Sequence, residues 1–166
     1  MKALRLFLWL SFLTGVIYPL FVTMIAETLF YDKANGSLVK IGGEVRGSTL
    51  IAQKFTGNSY FWPRPSAVDY NPLPSGGSNL SLTSRALKKA VEERSQRYGK
   101  KDTPSELLYA SGSGLDPHLT QEAALFQLER VSSSRGIDRQ KIEDKIRSVS
   151  LVNVLEINLW LDSQHE

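Results

Sequence analysis

Residues 6–26, LFLWLSFLTGVIYPLFVTMIA, decide the architecture, because these 21 residues contain no charged side chain. As an α-helix the stretch would rise about 32 Å, which matches the roughly 30 Å hydrocarbon core of a bilayer. Pro19 interrupts it, and a helix in lipid tolerates a proline where neighbouring groups satisfy the freed carbonyl. The sequence therefore predicts a transmembrane helix at residues 6–26 with a kink near Tyr18-Pro19.

The residues at the two ends of this helix indicate whether it is cleaved off or retained, and how it is oriented in the membrane. A short basic N-terminus, residues 1–5, carries Lys2 and Arg5 and resembles the start of a cleaved signal peptide. The apolar run is longer than the usual 7–15 residues or so of a signal peptide, and residues 24–26 make a poor cleavage site. Long domains translocate largely regardless of their charge, so the short basic end is the better guide to orientation. We expect a retained helix, a cytoplasmic N-terminus and one extracytoplasmic domain at residues 27–166.

The composition excludes several classes of function. The net charge is +3, but two of the 20 basic residues precede the span, which leaves 18 basic against 17 acidic residues in the domain. Such a mixed surface lacks the single-sign field that binds polyanions. The chain has no cysteine, which excludes thiolate metal sites and cysteine nucleophiles, and it has no phosphate-binding GxxxxGK[ST] motif.

Three helices of the domain are predicted from capping residues and from apolar residues spaced three or four apart. The candidate start and end are Thr83 or Ser84 with Gly99 for the first helix, and Asp116-Pro117 or Thr120 with Gly136 for the second. The third starts at Asp138, and Ile146 and Val149 continue its apolar face. Residues 55–78 combine four prolines with aromatic residues and glycines, so a regular helix is excluded there.

Short strands are predicted around Val45 and at Leu50-Ile51, where apolar residues alternate with turn residues. At the end of the chain, apolar residues at 155, 157, 159 and 161 alternate with polar residues and Trp160, which favours a half-buried strand. We expect this last strand to join the first sheet. The fold class is therefore α+β, with a small sheet and about three helices after the transmembrane helix.

The stretch ASGSGLDPH at residues 110–118 is the richest in candidate chemistry. Its exposed amides could hold an anion, and Ser113, His118 and Asp116 contain the residue types of a hydrolytic triad. Sequence neighbours do not by themselves supply the geometry of a triad, so the favoured interpretation is a tight loop with a helix cap and a surface histidine. We predict no catalytic residue.

Three further features of the sequence are candidates for a function. A metal site would need His118 and Glu122 together with His165, the other histidine, which is too few ligands at plausible spacing, so no metal site is predicted. Arg64 follows three aromatic residues and lies between two prolines, where contact with a partner and an internal brace are equally plausible. In the apolar helix, Gly15 lies near other small residues and could allow close packing on a partner helix.

Several blocks of the chain together resemble the KdpC family, the small single-span subunit of the bacterial Kdp potassium-transporting P-type ATPase. The similarity covers nearly the whole length, and the blocks follow the same order. They are LTGVIYP at 13–19, GSTLIAQKF at 47–55, YFWPRPSA at 60–67, SGGSNL at 75–80, ASGSGLDPH at 110–118, RV at 130–131 with RG at 135–136, and NVLEINL at 153–159.

The resemblance implies an accessory subunit without chemistry of its own or a cofactor of its own, in a complex that handles ATP and K⁺. Its expected partners are a catalytic P-type ATPase subunit and a channel-like potassium-binding subunit, in the bacterial inner membrane. The family is described as a catalytic chaperone that raises the pump's affinity for ATP. Since the domain is expected outside the cytoplasm, we expect this effect to pass through the assembly.

The resemblance also assigns residues. Nucleotide contact would fall on Ser111, Gly112, Ser113 and Gly114, and partner contact on Gly15, Tyr18, Pro19 and Arg64. Two alternatives from other classes remain open. One is a membrane-anchored extracytoplasmic hydrolase that uses Ser111 or Ser113, and the other is an independent solute-binding module.

Overall fold

The computed structural model of the chain describes residues 1–99 and 102–164. The chain divides into two units, Met1–Arg46 and Gly47–Glu166. The boundary between the units, at Arg46 and Gly47, lies within a strand that begins at Glu44. His165, a metal-ligand candidate in the sequence, lies outside the described residues.

The first unit begins with a helix at Lys2–Leu29 that is long and apolar enough to cross a membrane, judged by length and composition. It consists of α1 (Lys2–Phe12), a π-helical turn (Leu13–Ile17) and α2 (Tyr18–Leu29). Pro19 lacks the amide that an α-helix would use at this point, and the preceding turn is widened. The span predicted at residues 6–26 lies inside this helix.

After a short helix, α3 (Tyr31–Ala34), the chain forms a hairpin of β1 (Leu38–Ile41) and β2 (Glu44–Ser48). Two glycines of positive φ form the turn between the strands, as tight hairpins require. The strand predicted around Val45 is confirmed. The strand predicted at Leu50-Ile51 is wrong, because the Leu50 amide donates to Ser48 Oγ and both residues lie in a turn and bend.

Besides the last two residues of β2, the second unit contains five helices and two strands among its described residues. In chain order they are α4 (Arg85–Tyr98), α5 (Ser105–Leu108), β3 (His118–Thr120), α6 (Gln121–Arg135), α7 (Arg139–Arg147), β4 (Leu151–Asn153) and α8 (Val154–Asp162). Residues 49–84 contain no helix or strand. The prediction that residues 55–78 form no regular helix is therefore confirmed. The α+β class is confirmed, with two small sheets in the described chain.

The three helices predicted from capping residues are confirmed. Gly99 and Gly136 end α4 and α6 in the left-handed conformation, which glycine adopts without steric cost. Thr120 Oγ1 accepts from the Ala123 amide at the start of α6, and Asp138 caps α7 in the same manner. The alternative start at Asp116-Pro117 is wrong, since residues 118–120 form β3 instead.

The prediction that the last strand joins the first sheet is wrong. Strand β4 pairs antiparallel with β3, with His118 opposite Asn153 and Thr120 opposite Leu151, while β1 and β2 form a separate sheet. The strand predicted at residues 155–161 is also wrong, because α8 occupies them. The buried set Val154, Ile157, Asn158 and Leu161 has helical spacing, and the alternation was misleading because polar Asn158 is wholly buried.

The core of the second unit lies between α6, α7, α8 and the β3–β4 pair. Its fully buried side chains include Leu128 and Val131 of α6, Ile142 and Ile146 of α7, and Leu161 of α8. Phe61 from the irregular segment is 0% exposed and belongs to the same cluster, so that segment is part of the core.

Candidate functional site

The predicted nucleotide loop, which we call the Ser-Gly loop (residues 110–117), is packed against other loops of the domain. The Ser111 amide donates to the Pro65 carbonyl at 3.0 Å, and the Gly114 amide donates to the Ser111 carbonyl at 3.3 Å. The Ser113 carbonyl accepts from the Gly76 amide at 2.8 Å. Two of the four amides assigned to nucleotide contact are therefore already bonded within the protein.

Gly114 sits where a side chain would not fit. Its φ is +71°, and a Cβ would lie 2.7 Å from Val68 Cγ2 and 2.8 Å from the Gly76 carbonyl oxygen. Gly112 in the same loop has open space around it. The two glycines therefore differ in role. Gly114 allows close packing of the backbone, whereas the position of Gly112 has room for a side chain.

Asp116 joins the Ser-Gly loop to Arg64, which lies between Pro63 and Pro65. Its Oδ2 lies 2.8 Å from Arg64 Nη1, and its Oδ1 accepts from the His118 amide at 3.0 Å. The His118 side chain is exposed, with Nδ1 3.9 Å from Asp116 Oδ1, and Ser113 Oγ accepts from the Leu115 amide. The carboxylate therefore braces the loop, and Arg64 has an internal partner.

The candidate metal ligands form no site in the described part of the chain. There, no group of three or more histidine, aspartate and glutamate side chains is close enough to hold an ion.

The aromatic segment (residues 57–65) is held by two buried amide side chains. Asn158 accepts from the Phe61 amide at 2.8 Å and donates to the Phe61 carbonyl at 3.0 Å. Gln127 makes the same pair of bonds with Trp62, at 2.9 and 3.0 Å. Both side chains are at most 1% exposed, so they satisfy backbone groups that water does not reach.

Two arginines of α6 complete this clamp. Arg130 Nη1 donates to the carbonyls of Asn58 and Tyr60 at 2.6 and 2.9 Å, and Arg135 Nε donates to the Ser59 carbonyl at 2.6 Å. Burial lowers the pKa of Arg130 to about 10, and the guanidinium still carries its charge at neutral pH. Arg135 also pairs with Asp162 of α8 at 2.7 Å.

Trp62 is stacked between two guanidinium groups. The Cζ atoms of Arg97 and Arg130 lie 3.6 and 3.7 Å from the ring centroid, and the indole Nε1 donates to the Gly57 carbonyl. Such contacts are worth about 0.5–2 kcal/mol each, more when desolvated. They tie α4 and α6 to the aromatic segment.

Sequence reasoning missed Gln127, Asn158, Arg97, Arg130 and Arg135. The available signal was an amide side chain within an otherwise apolar helix face: Gln127 stands between Ala124 and Val131 on α6. A buried polar residue at such a place needs a bonding partner, but the spacing does not say which one.

The predicted partner-contact residues of the apolar helix lie around the widened turn. Gly15 is within it, and Tyr18 and Pro19 follow directly at the start of α2. A Cβ on Gly15 would meet no atom within 4 Å, so the unit itself leaves room there.

These features define a class of protein: in the described chain, one N-terminal helix able to span a membrane is followed by a small α+β domain whose loops are braced by its own polar side chains. The chain matches, over residues 1–163, the family described as KdpC, K⁺-transporting ATPase, c chain.

Curated relatives are similar to this chain over nearly its whole length. A Leptospira interrogans protein named Potassium-transporting ATPase KdpC subunit is 43% identical over 178 residues, covering 98% of this chain and 92% of the relative. Proteins of the same name from Rhodospirillum rubrum and Escherichia coli (strain SE11) are 45% and 40% identical, covering 98% and 99% of this chain and 94% and 97% of the relatives. The chain belongs to the KdpC family.

Proposed function

We propose that this chain is an accessory subunit of a high-affinity, ATP-driven potassium import complex of the bacterial inner membrane. The observation that carries the proposal is the match to the KdpC family over residues 1–163. Its partners in this proposal are the catalytic P-type ATPase subunit and the channel-like potassium-binding subunit. ATP hydrolysis and K⁺ selection belong to them.

The chain itself is proposed to be non-catalytic. Asp116, which a hydrolytic triad would need beside the histidine, bonds instead to Arg64 and to the His118 amide. Ser113 Oγ is used within its own turn. These side chains are engaged in holding the loop, which supports a structural role.

The proposed effect on the pump is a higher affinity for ATP, passed through contacts between subunits. Support comes from the Ser-Gly loop, where the Ser111 and Gly114 amides bond within the domain. A nucleotide would have to replace those bonds.

The domain is proposed to lie outside the cytoplasm, with the short basic N-terminus inside. We therefore expect alkaline phosphatase fused to the C-terminus to be active, because this enzyme works only outside the cytoplasm. Green fluorescent protein at the same position should be dark if exported unfolded. Bright fluorescence with an inactive phosphatase would reverse the topology and make direct contact with cytoplasmic ATP credible.

The anchor is proposed to pack on a partner helix through Gly15. We expect Gly15→Leu to reduce co-purification of the pump subunits in mild detergent by about tenfold, because a bulky side chain prevents close helix approach. Gly15→Ala, the matched control, should retain most of the partners. Protease resistance and membrane insertion should stay unchanged in both variants, since leucine raises the apolarity of the span.

Full recovery of the partners with Gly15→Leu would show that the helix is only a tether. Failure of the wild-type chain to bring any large membrane partner would instead favour a hydrolase or an independent binding module.

A further inference from the structure

A cavity of about 200 Å³ lies between the N-terminal side of the aromatic segment, the turn that follows it and α4. Its described lining includes three basic residues, Lys54, Arg94 and Arg97, and one acidic residue, Asp69. The basic side chains outnumber the acidic one by two. The described lining of the cavity contains no residue of the Ser-Gly loop, and it includes Pro63 and Pro65 on either side of Arg64.

The guanidinium groups of Arg94 and Arg97 are held by neutral partners, and within the described residues neither pairs with a carboxylate. Arg94 Nη1 donates to the Leu108 carbonyl at 2.6 Å, and the Arg97 guanidinium lies on the face of Trp62. Lys54 differs, since its Nζ is 2.7 Å from Asp69 Oδ2 in an exposed ion pair. Two oriented positive charges beside a small cavity form a preorganised site for an anion.

A phenol adds a neutral donor to this lining. Burial raises the pKa of Tyr98, so its hydroxyl stays protonated at neutral pH. The Tyr98 ring packs against two other aromatic rings, with its centroid 5.4 Å from that of Trp62 and 5.7 Å from that of Phe126. The position of the donor is therefore set by packing.

The turn that forms one wall is conformationally strained. Asp69 and Tyr70 are consecutive residues with φ of 52° and 62°, and a bulky residue rarely adopts this region. Ser66 Oγ accepts from the Val68 and Tyr70 amides, and the Tyr70 hydroxyl donates to the Arg64 carbonyl. Strain that the surroundings enforce in this way is typical of binding sites.

The size of the cavity limits its ligand. Clefts for drug-sized molecules have about 300–1,000 Å³, so this one suits a smaller group. The planar guanidinium fork matches the oxygens of a phosphate. We propose that the cavity binds a phosphate group, supplied either by free inorganic phosphate or by the headgroup of an anionic phospholipid.

The test is a calorimetric titration of the full-length chain, in neutral detergent, with inorganic phosphate at constant ionic strength. We expect saturable binding with one site per chain. Arg94→Gln and Arg97→Gln should each weaken it about tenfold, since a charge-assisted hydrogen bond contributes that much or more. Arg139→Gln is the matched control, because Arg139 is an exposed arginine elsewhere, 3.5 Å from Glu129, and its loss should leave binding unchanged.

Tyr98→Phe provides a variant that keeps the packing and removes only the donor, and it should weaken binding severalfold. Thermal melting identifies any variant that is not folded.

The source of the bound phosphate group is determined by repeating the titration with inorganic phosphate in nanodiscs of phosphatidylcholine and of phosphatidylglycerol. Equal affinity for inorganic phosphate in the two nanodiscs would identify free phosphate as the ligand. Weaker binding in phosphatidylglycerol would show that the lipid headgroup occupies the cavity. Absence of saturable binding, or binding insensitive to the folded Arg94, Arg97 and Tyr98 variants, would overturn the proposal.

Discussion

Replacing Asn158 with alanine is expected to lower the free energy of unfolding of the domain by about 3 kcal/mol. The side chain is 0% exposed and bonds to both the amide and the carbonyl of Phe61. Alanine would leave both backbone groups buried without a partner and would open a small void beside them. The measurement is urea unfolding of the full chain in detergent, followed by tryptophan fluorescence.

Asn58→Ala is the matched control for this substitution, because Asn58 is exposed and its structural contact is made by its backbone carbonyl. We expect it to change stability by less than about 0.5 kcal/mol. If Asn158→Ala were equally mild, the Asn158 clamp would not be a determinant of stability.

A second large effect is expected at Gly114. Gly114→Ala should cost about 2–4 kcal/mol, since φ is +71° and the new Cβ would press on the Gly76 carbonyl, a backbone atom that cannot rotate away. Gly112→Ala, two residues earlier, should cost less than about 1 kcal/mol because no atom lies within 4 Å of its Cβ position. The comparison uses the same unfolding assay.

Equal stabilities of the Gly112 and Gly114 variants would mean that the Ser-Gly loop adjusts easily and that its packing against residues 65–77 is loose. A loop of that kind could open for a nucleotide, so this result would also weaken the argument for an indirect effect on ATP affinity.

Local signals predicted the helices well. The ends of α4 and α6 follow from Gly99 and Gly136, and the start of α7 follows from Asp138, because a cap acts within one turn of its own residue. The apolar helix could be predicted for a similar reason, since length and lack of charge are properties of one continuous stretch.

Long-range pairing could not be predicted from spacing. The alternation at residues 155–161 indicates a strand only if Asn158 faces water. Asn158 is instead buried, where its side chain bonds to the backbone of Phe61, 97 residues earlier. The pairing of β4 with β3 and the contact of Arg64 with Asp116 likewise join distant residues. The cavity could not be predicted for the same reason, since its lining residues Lys54 and Arg97 come from separate parts of the chain.

The clamp on the aromatic segment has a consequence for the order of events during synthesis. The backbone groups of Phe61 and Trp62 bond to side chains that are synthesised 97 and 65 residues later. The Thr49 carbonyl bonds to Asn153, which is synthesised 104 residues later. Contacts of such separation close large loops, which slows folding. The aromatic segment therefore has its full set of native partners only after α8 leaves the ribosome, and in a chain cut short before Asn153 it would be more exposed to proteases.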